Sequence, residues 1–167
     1  MTTKKSKMDL SRSLEIRRAE IGDAAAISSL LVDSFEEYQS LYTPEGYAAT
    51  AITSEQVAIR LREGPIWVAI SNGNVVGTVS VVITKDSMYL RGMAVRPTAR
   101  GQHIGELLIT EVEKFSRLKH FRRLFLSTTP FLHRAIRVYE RLGFRRIDES
   151  PNDLHGTPLF TMEKFLL

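Results

Sequence analysis

The chain has 167 residues, enough for one ordinary domain and too few for two well-buried cores. Apolar residues make up 43% and charged residues 25%, which excludes a chain that is disordered throughout, and the absence of cysteine excludes disulfides, thiolate metal sites and a cysteine nucleophile. The net charge of +4 suits an anionic partner, but it does not choose between nucleic acid and a small phosphorylated ligand.

Residues 1–13 are polar, carry Lys4, Lys5 and Lys7, and lack the apolar run of a secretory signal, so they read as a flexible basic tail ahead of one domain over 14–167. No segment approaches the roughly 18 apolar residues that span a bilayer, so a soluble, cytoplasmic protein without a membrane partner is expected. Leu14, Ile16 and Ala19 alternate with charged residues, predicting a first strand before a Gly22-Asp23 turn. Ile27, Leu30, Leu31, Phe35 and Tyr38 then fall on one face of a helix. Thr43-Pro44-Glu45-Gly46 reads as a loop. Thr53 and Gln56 form a capping box for a second helix, which Gly64-Pro65 stops.

From Ile66 the period shortens, and three apolar runs separated by Asn72-Gly73 and Asp86-Ser87 predict a meander with Trp67 in its core. Helical period returns in the stripe Ile104, Leu107, Leu108, Val112, Phe115 and Leu118, followed by a strand over 123–128. Ala135, Val138, Tyr139 and Leu142 mark another helix ending at Gly143, and two strands close the chain. The order is β-α-α-β-β-β-α-β-α-β-β, a mixed α/β (α+β) arrangement of one sheet flanked by helices.

The most informative stretch is the junction from Met93-Ala94-Val95 through Arg96-Pro97 to Arg100-Gly101-Gln102-His103-Ile104-Gly105. A strand there meets a helix through a basic, glycine-bearing loop. The first turn of a helix leaves backbone N–H groups unpaired and concentrates positive potential, so such a junction suits a diphosphate. By themselves the two glycines more often mark a plain tight turn before a helix than an anion site. The loop has neither the Lys-Ser/Thr ending of a nucleoside-triphosphate loop nor the spacing of a dinucleotide site.

This junction, with the downstream segment Ala135-Ile136-Arg137-Val138-Tyr139-Glu140-Arg141-Leu142-Gly143-Phe144, resembles the GNAT superfamily of N-acetyltransferases. The signature of Arg or Gln, two residues, Gly, one residue, and Gly or Ala is matched by Arg100 to Gly105, with His103 where the family's first glycine stands. The resemblance implies a mostly antiparallel, twisted sheet of about seven strands and about four helices, splayed between the fourth and fifth strands. It implies acetyl-CoA as acyl donor and no metal. Met93, Ala94 and Val95 would meet the pantetheine arm, and Arg100, Gly101, Gln102, His103, Ile104 and Gly105 the pyrophosphate. Tyr139 occupies the position of the family's general acid; a phenol of pKa about 10 is matched to a thiol of about 8.5. Leu132 stands where the family often has an Asn, so Ser127 or Thr128 is expected to replace that contact.

No side chain announces itself as the base. Glu36 and Glu37, at the end of the first helix, are the candidates, with water as the alternative. His133 and His155 lack an acidic partner at a recognisable spacing and read as surface residues. The cluster Arg117, Lys119, His120, Arg122 and Arg123 has little aromatic interleaving, which argues for a solvated helix end over nucleic acid. The expected reaction is direct attack of a primary amine, in a ternary complex, on acetyl-CoA, with a small-molecule acceptor. A protein or peptide acetyltransferase and a non-catalytic CoA-binding module are the alternatives, and the family suggests a homodimer.

Overall fold

The computed structural model describes residues 14–148 and 153–167; the basic tail at 1–13 lies outside the described residues. Strand β1 (Leu14–Arg18) leads through a short 3₁₀ turn into helix α1 (Ala24–Phe35), then α2 (Pro44–Thr50) and α3 (Ser54–Glu63). Strands β2 (Ile66–Ser71), β3 (Asn74–Ile83) and β4 (Ser87–Val95) form the predicted meander. Helix α4 (Ile104–Leu118), strand β5 (Arg123–Thr128) and helix α5 (His133–Arg141) follow. Strands β6 (Arg145–Ile147), β7 (Asp153–Leu154), β8 (Thr157–Pro158) and β9 (Phe160–Phe165) end the chain.

Seven strands make one sheet in the order β1-β2-β3-β4-β5-β9-β6, and β7 pairs with β8 in a separate hairpin. Every neighbour in the main sheet is antiparallel except β4 and β5. The expected mixed sheet of about seven strands is therefore present, with five α-helices among the described residues. The additional one, α2, occupies the predicted loop: Thr43 accepts from the Gly46 N–H at 3.0 Å and Pro44 takes the first helical position, where its missing N–H costs nothing. Helix α1 is shorter than the apolar stripe suggested, since a 3₁₀ segment (Glu36–Leu41) replaces it after Phe35.

The two faces of the sheet carry separate cores. One unites Trp67, Ala69, Val79, Met88 and Leu90 with Ile104, Leu108, Ile109 and Val112 of α4. The other unites Val68 and Ala94 with Ile27, Leu31 and Phe35 of α1 and Val57 of α3. Removing each such side chain from water contributes roughly 1.5–3 kcal/mol. The face of α4 is rotated from the predicted stripe: Leu107 is 41% and Leu118 78% exposed, while Ile109 is fully buried. Positions 104, 108, 109, 112 and 116 keep helical spacing, and Leu107 and Leu118 lie to its side. Trp67 is buried as expected, edge-on to Phe115 with the Arg18 guanidinium 5.2 Å from its ring. Among the described residues no helix is long and apolar enough to cross a membrane.

Candidate active site

Strands β4 and β5 run parallel and pair only over residues 87–90 and 123–126. Beyond that point Ser127 and Thr128 pair with β9, and Ala94 and Val95 with β3, so the two strands diverge. The gap opens into a cavity of about 950 Å³.

A bulge in β4 shapes this gap. Thr78 faces Ala94 and Ser80 faces Arg91, which leaves Gly92 and Met93 together opposite one residue of β3. Gly92 has φ +62, a conformation that costs a side-chain-bearing residue strain. The extra residue reverses the alternation of the strand. Met88 and Leu90 pack with the α4 core, whereas Ala94 packs with α1. At the strand's end the Arg96 N–H donates to Val76 O of β3 at 2.8 Å, so alternation turns the preceding Val95 N–H away from β3 and toward the gap. The Val95 carbonyl, on the same side, accepts from Ser34 Oγ at 3.3 Å.

The loop into α4 adds a second set of free donors. Among the described residues the backbone N–H groups of 101–106 donate to no carbonyl or side chain; the first amide of α4 to find a partner is Leu107, bonded to His103 O at 3.1 Å. Gly101 has φ +83 and His103 has φ 59, so the position where the family signature has glycine does adopt the left-handed conformation. Histidine is among the residues that tolerate it. His103→Gly is accordingly expected to preserve the loop and raise the melting temperature by about 2–4 °C at most, and the β-branched His103→Val to lower it, in circular-dichroism melts. Arg96 and Arg100 tie the loop to the end of α1, through Asp33 and through Glu37 respectively, the latter at 2.5 Å.

Helix α5 closes the cavity from the α4 side. A methyl group on Gly105 would lie 3.6 Å from Val138 Cγ1 and 3.7 Å from Met93 Cε, so α5, α4 and the bulge meet closely there. Tyr139 lines the cavity and is only 7% exposed, packed on Phe144 at 5.8 Å between ring centres. Burial raises its phenol well above the ordinary tyrosine value, with smaller contributions from Tyr89 and Tyr42. Its hydroxyl has no hydrogen-bond partner among the described residues.

The opposite wall comes from α1, α2, α3 and the β7–β8 hairpin. The hairpin is pinned to Thr43, whose N–H donates to Thr157 Oγ1 at 2.9 Å and whose hydroxyl donates to His155 O at 2.8 Å. Leu154 and Leu159 thereby reach the cavity.

Of the residues chosen from sequence, Met93, Ala94, Val95, Arg100, Gly101, His103, Ile104, Gly105, Thr128 and Tyr139 all line this cavity, and Gln102 does not. Glu36 and Glu37 are exposed and outside its lining, and Glu37 is engaged with Arg100. His133 and His155 are exposed. Residues not chosen from sequence also contribute. Thr129 Oγ1 is buried at the cavity wall beside the Tyr42 phenol, and Arg60 enters from α3. Among the described lining residues stand six arginines and one carboxylate, Glu106, which pairs with Arg141 at 2.7 Å. No group of three His, Asp or Glu side chains among the described residues is placed to hold a metal ion.

The chain resembles solved structures that contain the cofactor expected from sequence. The PaiA N-acetyltransferase from Thermoplasma acidophilum, in complex with coenzyme A, superposes with a TM-score of 0.79 at 20% identity, covering 92% of this chain and 99% of that one. YncA from Salmonella typhimurium, with acetyl-CoA, gives 0.71 at 19% identity, covering 93% and 95%. The uncharacterized N-acetyltransferase YjgM of Escherichia coli is 31% identical over 139 residues, 80% of this chain and 83% of YjgM. The N-acetylaspartate synthetase of Danio rerio is 37% identical over 86 residues, half of this chain but only 30% of the zebrafish protein's length. The sequence profile of the Acetyltransferase (GNAT) family matches residues 25–144, and with that match, the splayed sheet and the two motifs in order, the chain belongs to the GNAT family.

Proposed function

We propose that the protein is an acetyl-CoA-dependent N-acetyltransferase that acts by direct attack of a small primary amine in a ternary complex. The observation that carries this reading is the continuity of free main-chain donors along the β4–β5 gap, from the bulge through Val95 to residues 101–106. Acetyl-CoA is a long, polyanionic thioester. The cavity fits it, with unpaired amides at one end and arginines around the rim.

When bound, acetyl-CoA supplies an activated carbonyl carbon and a thiolate leaving group. The chain's own residues do the rest. The amides of 101–106, at the positive end of α4, bind the diphosphate in place of water. Val95 N–H and the bulged backbone at Met93 align the pantetheine arm and hydrogen-bond the carbonyl oxygen as it gains charge, a donor role contributing roughly 3–4 kcal/mol. Tyr139, kept protonated by its burial, donates its proton to the departing sulfur. The acceptor-side wall offers no carboxylate or imidazole among the described residues, so water accepts the amine's proton.

A small acceptor is favoured over a protein because the β7–β8 hairpin, held to Thr43, narrows that side of the cavity. A homodimer would pair through the sheet edges, β1 or β6. The direct test follows free-thiol release from acetyl-CoA across a panel of primary amines and peptides. Release that rises with a small amine and yields its N-acetyl product is the expected result; a rate unchanged from background hydrolysis by every amine and peptide would remove the transferase reading.

A further inference from the structure

The wall facing the bulge is more positive than acetyl-CoA binding requires. Arg60 sits on the last turns of α3, half-buried, and its guanidinium reaches across to β4, where a methyl group placed on Gly92 would lie 2.9 Å from Arg60 Nη1. Gly92 thus provides both the bulge conformation and the room for this arginine. Among the described residues Arg60 has no carboxylate within ion-pair distance; its guanidinium's one hydrogen bond, to Ala49 O, is 3.5 Å long. Arg91, the residue before Gly92, lies near enough for its charge to act on Arg60. Its Nη2 pairs with Glu63, but its Nε is buried without a partner. Glu63 is therefore engaged by Arg91, and Arg60 is left without a carboxylate of its own among the described residues. Tyr89 adds a phenol to this wall.

Burial depresses the Arg60 pKa, and the charge of Arg91 depresses it further, with Glu63 and Tyr89 opposing. An arginine remains protonated regardless, so an anion placed beside it offsets the free-energy cost of its partial burial. The diphosphate-binding amides lie beyond Val95 in the other direction, at the far end of the gap. Met93, where the reacting carbonyl is aligned, is the residue next to Gly92, about 3.8 Å away between Cα atoms. The anion at Arg60 therefore belongs to the acceptor, a few bonds from its attacking nitrogen.

Resting on the acetyltransferase reading, we infer that the acceptor is a free amino acid, whose carboxylate is held by Arg60, with Arg91 Nε as a second donor, while its amine faces the carbonyl aligned at Met93. Arg60 is then a specificity-determining residue.

The experiment titrates CoA-loaded protein, by calorimetry, with the common α-amino acids and their carboxamides, for wild type, Arg60→Gln and Arg60→Lys. At least one amino acid is expected to bind wild type about 10- to 100-fold more tightly than its carboxamide, as charge-assisted pairing implies. Arg60→Gln should erase that difference, Arg60→Lys should restore part of it, and both should keep CoA affinity within about twofold. In turnover the loss should fall on the KM of the amino acid more than on kcat. Equal binding of acid and amide, preference retained in Arg60→Gln, or no uptake of any amino acid by CoA-loaded protein would overturn the inference while leaving the cofactor reading intact. Failure to take up CoA at all would overturn both.

Discussion

Replacing Tyr139 with phenylalanine is expected to lower kcat by about 100-fold or more while leaving acetyl-CoA affinity unchanged, the loss typical of removing a positioned general acid. The side chain is buried at the meeting of α5, α4 and the β4 bulge, and its ring packs on Phe144, contacts that phenylalanine retains. Its hydroxyl has no partner among the described residues, so removing it sacrifices no hydrogen bond and leaves the folded state equally or slightly more stable. The effect should therefore appear in turnover alone. Burial raises the phenol's pKa, so the protonated, proton-donating form persists to higher pH than for an exposed tyrosine. Wild-type kcat should then rise with pH as the amine deprotonates and show no alkaline fall from Tyr139 below about pH 10. An unchanged kcat in the variant with a productive amine would remove Tyr139 from the chemistry.

Gly64→Ala should be the most disruptive single methyl group in the molecule. A Cβ there would lie 2.0 Å from the Val81 carbonyl oxygen, a main-chain atom that cannot swing aside. Val81 is itself fixed, its N–H donating to Pro65 O at 2.9 Å, and the Gly64 N–H donates to Arg60 O at 3.3 Å at the end of α3. Relief requires moving α3 from the sheet. Overpacking of this kind costs typically 1–3 kcal/mol and more where backbone must shift; a cost of about 3 kcal/mol corresponds to a melting temperature lower by about 6–12 °C. Because Arg60 and Glu63 occupy the same last turns, the acceptor KM should deteriorate along with stability. A melt superimposable on wild type would show that the close approach at Val81 is not rigid.

Much of the scaffold was legible because the strands and helices obey simple periods. The runs at 66–71, 74–83 and 87–95 are apolar on both faces, as strands covered on both sides must be, and Asn72-Gly73 marked the tight turn between the first two. The capping box at Thr53 is formed as read, with Gln56 Oε1 accepting from Thr53 N–H at 2.9 Å. Helix α2 escaped notice because proline and glycine were read as breakers, although proline at the first position and threonine before it begin helices. The gap between β4 and β5 followed from family resemblance and from no local property of either strand.

The cavity wall was legible only where motifs pass through it. His103 looked like a departure from the signature, yet its backbone takes the conformation that glycine would. Sequence places Glu36 and Glu37 at the end of the first helix, on the acceptor side; the change to a 3₁₀ turn after Phe35 leaves them exposed, and Glu37 fastens Arg100. Arg60 sits in the charged stretch Arg60-Leu61-Arg62-Glu63, which in sequence is an ordinary solvated face. Its guanidinium lies over Gly92 of β4, a long-range relation that no helical period encodes.

The central claim is that unpaired main-chain hydrogens between the β4 bulge and the start of α4 hold coenzyme A along its length. Isothermal titration of the purified protein with acetyl-CoA measures this most directly. One molecule taken up per chain, displaced by CoA and weakened when Gly101 or Gly105 is changed to proline, is the expected result; no detectable heat or displacement with either compound would contradict it.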